Sequence, residues 1–400
     1  MNTPYLIHTS SLVLTKTADG LIDPKLVLAW LLNAIGAPGY IIGLLVPVRE
    51  SGSLLPQLLL AQRIEARSQR KWFWVFGSAL QGIAAISIAA AAYFLSGALA
   101  GWLVLLCLAV LAVARAACSA SFKDILARTV EKGNRGKVSG TASTFAAIVV
   151  FAFALLLSFG IWPREPGAIS LAVFLAGILW IVAAALFARL AEPDAKTHED
   201  KDQSLTDLVD PLWDDKELQI YIATRGLLIS TALAPPFLVM LGNLSGAQLG
   251  NLGFLIIASS LASIVSSYIW GALSDRSSRK TLVFASAAAA LTYFIAAGGG
   301  VLGWVSDSSL LIPVLIFMAQ IAYEGARAGR KTHLTDMDAE GRTAVYTALS
   351  NTVIGVMLAA GGVLGFLADA FGASFVLGLL GLFSGFAMIT ALQLSEVQQE

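Results

Sequence analysis

The chain has 400 residues, 57% of them hydrophobic and only 13% charged, with a mean hydropathy of +0.77. Soluble domains carry about 25% charged residues, so this chain has too little polar surface for a water-soluble body, which excludes a cytosolic enzyme and a disordered scaffold. Formal net charge is zero, leaving no basic excess to bind nucleic-acid phosphates.

An integral membrane protein in a lipid bilayer remains. A spanning helix needs about 20 mostly apolar residues. Twelve such stretches are expected, in chain order 6–32, 40–61, 72–94, 99–122, 138–160, 168–190, 217–241, 249–273, 281–301, 309–327, 343–366 and 372–393. The first is the least apolar, interrupted by Lys16, Asp19, Asp23 and Lys25. The N-terminus lacks a basic run ahead of a clean apolar core, so a cleaved signal peptide is not expected. Cys107 and Cys118 stand in apolar sequence and read as small lipid- or protein-facing residues. His8, His198 and His333 are scattered. No disulfide framework, metal site or cofactor is expected from them.

Loops after even-numbered stretches are basic: Arg63, Arg67, Arg70 and Lys71; Lys123, Arg128, Lys132, Arg135 and Lys137; Arg276, Arg279 and Lys280; Arg327, Arg330, Lys331 and Arg342. The loops on the other side hold only Arg164. Lys and Arg in short loops mark the cytoplasmic side, so these loops and both termini are expected in the cytoplasm, the protein lying in the cell (inner) membrane. The loop 191–216 is strongly acidic and reads as a solvated cytoplasmic linker between an N-terminal six-helix bundle, 1–190, and a C-terminal one, 217–400.

The two halves share landmarks at a near-constant offset. Arg70-Lys71 matches Arg279-Lys280, Lys123 matches Lys331, Arg135 matches Arg342 and Gly43 matches Gly250, at offsets of 207 to 209. Parallel repeats with a site between halves are a transporter architecture. The stretch Gly271-Ala-Leu-Ser-Asp275-Arg276-Ser-Ser-Arg279-Lys280 resembles the loop signature of the major facilitator superfamily, with Ser278 in place of the usual second glycine. In the first half, Arg67, Arg70 and Lys71 fit, while Gln62 and Ala66 stand where glycine and aspartate are expected and Glu65 lies one residue away. Asn134-Arg135-Gly136-Lys137 is also similar to the family. The resemblance implies an all-α membrane protein of twelve transmembrane helices in two pseudo-symmetric six-helix bundles. It implies a conformational gating loop at Gly271, Asp275, Arg276, Arg279 and Lys280, in which Gly271 lets helices approach closely and Asp275 accepts from Arg276, Arg279 or a helix terminus. The plainer reading of that loop is an orientation signal.

Charges within the spans mark paths or pairs, because a charge at the bilayer centre costs about 2.5–3.5 kcal/mol on insertion scales. Lys16, Asp19 and Asp23 share one helix face, with Pro24 expected to kink the helix. Arg49 and Glu50 lie between Pro47 and Pro56, Arg115 lies in the fourth stretch, Arg225 in the seventh ahead of Pro235-Pro236, and Glu324 near the end of the tenth. The second half offers instead Ser259, Ser260, Ser263, Ser266, Ser267 and Asn351. Asp19, Arg49, Glu50, Arg115 and Arg225 are the expected substrate and proton pathway, against the alternative of structural ion pairs.

The function expected is secondary transport of a small solute by alternating access, by a monomer and proton-coupled through Asp19 or Glu50. Arg49 is the expected substrate contact, for a solute carrying a carboxylate or other acceptor. No phosphate-binding loop is present, which disfavours an ATP pump. The run Val138-Ser-Gly-Thr-Ala-Ser-Thr-Phe-Ala-Ala lacks the glycine-proline pattern of drug/proton antiporters in the resembling family. The alternatives are an exporter of the same fold and a transporter-like receptor or assembly factor. No nucleophile–base or metal constellation supports an enzyme.

Overall fold

The computed structural model describes residues 3–57, 60, 63–64, 67–131, 134–193, 211–244, 252–307, 310–337 and 343–398. The landmarks Gln62, Glu65, Ala66, Lys132, Gly250 and Arg342, and 194–210 of the acidic segment, lie outside them. Among the described residues all regular structure is helical. Helices α1 (Thr3–Leu21), α2 (Val27–Ala34), α3 (Gly39–Leu54), α4 (Lys71–Phe94), α5 (Gly97–Thr129), α6 (Arg135–Ser158) and α7 (Pro166–Ala188) make up the first part. Helices α8 (Lys216–Leu227), α9 (Ser230–Leu244), α10 (Leu252–Arg276), α11 (Ser278–Val301), α12 (Leu311–Asp336), α13 (Thr343–Ala360), α14 (Val363–Phe371) and α15 (Ala373–Ala391) make up the second.

Ten helical stretches among the described residues are long and apolar enough to cross a membrane, rather than the expected twelve. The first two expected spans fall short of that length or apolarity for local reasons. The first keeps 19 residues in α1 but too many polar ones, Lys16 and Asp19 among them, and it is cut at residues 22–26, where the Asp23 carboxylate accepts from the backbone N–H of Lys25 and Leu26, both at 2.9 Å. Asp23 thus acts as an N-cap for the turn entering α2, with Pro24 just inside it, where a missing N–H costs nothing. The second keeps only the 16 residues of α3, with Pro47 inside. Elsewhere helices overrun their apolar cores: α5 has 33 residues and α12 has 26. Arg128, Arg327, Arg330 and Lys331 therefore lie on helices, and Glu324 sits at mid-helix rather than near the end.

The chain divides into two compact units, one of Met1–Ile41 with Val48–Asp202, the other of Ile42–Pro47 with Gln203–Glu400. Within the first, α4 packs on α5 and α7, and α1 packs on α6 and α7. Small residues allow this closeness: a Cβ on Gly82 would stand 2.7 Å from the Gly177 carbonyl oxygen, and one on Gly177 2.8 Å from that of Gly82. Ser78 adds a bond to the Trp180 carbonyl at 2.9 Å. Within the second unit α11 packs on α12 and α15, and α10 on α12.

The two units repeat a further detail at the landmark residues. Glu192, just past α7, accepts from the N–H of Arg70 at 3.2 Å and of Lys71 at 2.8 Å, capping α4. Lys71 Nζ returns to the Ala188 and Leu190 carbonyls at the end of α7. Glu396, just past α15, accepts from Ser277 Oγ at 2.7 Å and lies 3.6 Å from Arg279, at the start of α11. Large apolar side chains such as Phe76, Ile83, Leu106, Ile148, Ile264 and Phe386 are exposed on the helices. So much apolar surface suits a hydrocarbon surround.

Candidate functional site

Asp19, Arg49 and Arg115 come together inside the first unit, from α1, α3 and α5. Asp19 Oδ1 accepts from Arg49 Nη2 at 3.0 Å and also from Arg115 Nη1. Two guanidiniums therefore share one carboxylate oxygen. The Arg49 side chain is 9% exposed and that of Arg115 39%, so Arg49 is the buried anchor and Arg115 the accessible donor. Lys16 adds a further positive charge acting on Asp19. Glu50 follows Arg49 on α3 but makes no ion pair within 4 Å among the described residues. Asp23, expected on the same face as Asp19, is spent on its backbone cap.

A cavity of about 230 Å³ opens beside the trio, lined by Lys16, Asp19, Arg115 and Lys123 together with Gln81, Cys118, Ser119, Trp74, Trp180 and Phe122 among others. Cys118 thus lines a cavity shared by charged and aromatic side chains, and its thiol accepts from Gln81 Nε2 at 3.3 Å. Gln81 escaped the sequence reading because that reading searched for charges. A glutamine three turns into an apolar helix was the available signal, since a buried amide demands partners.

Arg225 belongs to the second unit, on α8. It donates to Ser350 Oγ at 2.6 Å and Asn351 Oδ1 at 2.8 Å on α13, and its Nε is buried without a partner. No carboxylate lies within ion-pair distance of it among the described residues. A second polar cluster joins α10 and α12. Gln320 donates to Ser263 at 3.1 Å and to Glu324 at 3.1 Å, with Arg327 3.6 Å from Glu324. Of the other serines on α10, Ser266 is buried with its hydroxyl unbonded.

The expected gating loop differs in detail. A Cβ on Gly271 would meet nothing within 4 Å, so close helix packing does not require this glycine. Asp275, Arg276 and Lys280 are exposed. Arg279 turns to Glu396 and the Leu394 carbonyl instead of Asp275. The preceding serine supplies the local cap, Ser277 Oγ accepting from the Lys280 N–H at 3.1 Å.

No protein-family model and no curated protein matches the sequence. Solved structures do. The chain is similar to a mutant form of the nucleoside transporter NupG, with a TM-score of 0.74 at 13% identity, covering 99% of this chain and 100% of that one. A second NupG structure gives a TM-score of 0.70 at 13% identity, covering 98% of each chain. Both neighbours are transporters and not enzymes. What is shared at this identity is the fold: the chain is an integral membrane protein with the major facilitator fold, as its loop signature implied.

Proposed function

We propose that this protein is a secondary active transporter that moves a small solute by alternating access, coupled to protons through Asp19. The observation that carries this is the carboxylate shared by two arginines within a transporter fold. A carboxylate that exchanges its proton there changes the charge seen by both arginines. Twelve crossings in two six-helix halves, 1–190 and 217–400, joined by the acidic linker 191–216, complete the reading. Both termini face the cytoplasm and the protein works as a monomer in the cell membrane. Asp275, Arg276, Arg279 and Lys280 belong to its conformational gate.

The structural neighbours are nucleoside transporters, which makes a nucleoside the natural neutral solute to compare. The test is uptake into proteoliposomes under an imposed pH gradient, with internal pH followed by a trapped dye. Solute-dependent proton movement that disappears in Asp19→Asn is expected. Solute uptake indifferent to the pH gradient would remove proton coupling, and absence of solute flux would remove transport itself.

A further inference from the structure

We infer that the solute is a small organic monoanion, and that its anionic group and Asp19 compete for the same two arginines. The inference rests on the transport reading above and names its substrate class. Arg49 and Arg115 both bond to one oxygen of Asp19, so the trio carries one positive charge in excess. Arginine does not neutralise itself by losing its proton. Glu50 acts on both arginines and Asp23 on Arg49 through space only, Glu50 with no ion pair within 4 Å among the described residues and Asp23 held by backbone N–H groups, while Lys16 adds positive charge beside Asp19.

The adjoining cavity has the same sign. Its lining includes Lys16, Arg115 and Lys123 but only one acid, Asp19. At 230 Å³ it is smaller than the roughly 300–1,000 Å³ of drug-sized pockets, and Trp74, Trp180 and Phe122 offer apolar walls for an organic body. The second unit supplies an independent observation. Arg225 is bonded to the neutral Ser350 and Asn351, with its Nε unbonded. Among the described residues, no carboxylate lies within ion-pair distance of Arg225, and in the first unit two arginines share the single carboxylate of Asp19.

The coupling follows. Ionised Asp19 occupies the arginine N–H groups. A proton added to Asp19 from one side of the membrane weakens those bonds, and the solute's carboxylate takes up the same donors as a charge-assisted pair. On the other side the solute leaves, Asp19 gives up its proton and the carboxylate bonds to the arginines again. One proton moves with one monoanion, so no net charge crosses.

Thermal unfolding of the detergent-purified full chain tests the class with matched probes: benzoate against benzamide, nicotinate against nicotinamide, and lactate against lactamide, with uridine as the neutral nucleoside. A ligand that binds only the folded state raises Tm. At least one acid is expected to shift Tm while its amide and uridine do not. The shift should vanish in Arg115→Gln, weaken about tenfold in concentration dependence in Arg115→Lys, and persist or strengthen in Asp19→Asn, whose competing carboxylate is gone. A merely structural Asp19 would instead lower Tm and abolish binding. An amide or uridine acting as strongly as its acid, or no response to any of the three acids, overturns the inference. In proteoliposomes the active acid should follow an inside-alkaline pH gradient and ignore a valinomycin-imposed potential; uptake that follows the potential overturns the electroneutral coupling. Proton-driven uridine uptake without an acid response keeps the transport reading and removes the anion, whereas acid binding without any flux does the reverse.

Discussion

At the scale of single residues, the trio divides labour by exposure. Sequence reasoning favours Arg49 for solute contact, because it lies between prolines at mid-span. The structure makes Arg115 the more accessible donor, 39% against 9% exposed. Arg115→Lys should therefore raise the solute concentration for half-maximal uptake more than Arg49→Lys, by about tenfold against a few-fold, since each loses the planar two-pronged geometry. Arg49→Lys should act more on stability. Concentration dependence of uptake, alongside Tm, separates the two; equal affinity losses would return Arg49 to the contact role. Glu50→Gln is expected to keep pH-gradient-driven accumulation, because its carboxylate bonds to neither arginine. Loss of accumulation there would transfer coupling from Asp19 to Glu50. Charges stand out in an apolar chain, so Asp19, Arg49 and Arg115 were legible from sequence. Gln81 and Cys118 were not, since neutral polar side chains carry no such contrast and their place on the cavity wall depends on how α4 and α5 rotate against each other.

At the scale of elements, Asp23 shows how spacing can mislead. Its i+7 relation to Lys16 suggests a third charge on one helix face, but the Asp-Pro pair is also a helix-start signal, and that is the role it takes. Asp23→Ala removes the acceptor for two N–H groups and should cost about 1 kcal/mol, read as a lower Tm with uptake affinity preserved. An Asp23→Asn variant, which can still cap, should recover most of the loss; equal loss in both would point to the charge rather than the cap. The α4–α7 contact gives a sharper case. Gly82→Val places a Cβ 2.7 Å from the Gly177 carbonyl oxygen on a packed backbone, so it should sharply reduce the yield of folded, monodisperse protein, as overpacking does. Gly136→Ala, with open space around its Cβ, should be neutral on the same gel-filtration readout. Helix ends were the least legible feature. Hydropathy registers only the apolar middle of a helix, so the polar continuations of α5 to Thr129 and of α12 to Asp336 read as loops.

At the scale of the molecule, those continuations bear on which side is which. An α-helix rises 1.5 Å per residue, so the 33 residues of α5 span about 50 Å, against a hydrocarbon core of about 30 Å. The surplus belongs outside the lipid, and the Lys123–Arg128 end of α5 is the polar one. The Arg327, Arg330 and Lys331 end of α12 is alike. Both overhangs carry the same lysines and arginines that the charge bias counts, so these helix ends are expected on the cytoplasmic side. The topology they imply is testable at two exposed turns. Ser68 lies just before α4 and Ile161 just after α6, where Ile161 is 70% exposed. Single substitutions Ser68→Cys and Ile161→Cys, in a Cys107→Ser, Cys118→Ala background, should react with a membrane-impermeant maleimide from opposite faces. On intact cells Ile161→Cys should label and Ser68→Cys should label only after the membrane is opened. Labelling of Ser68→Cys on intact cells would invert the orientation, and with it the side on which the Asp19 carboxyl is expected to release its proton.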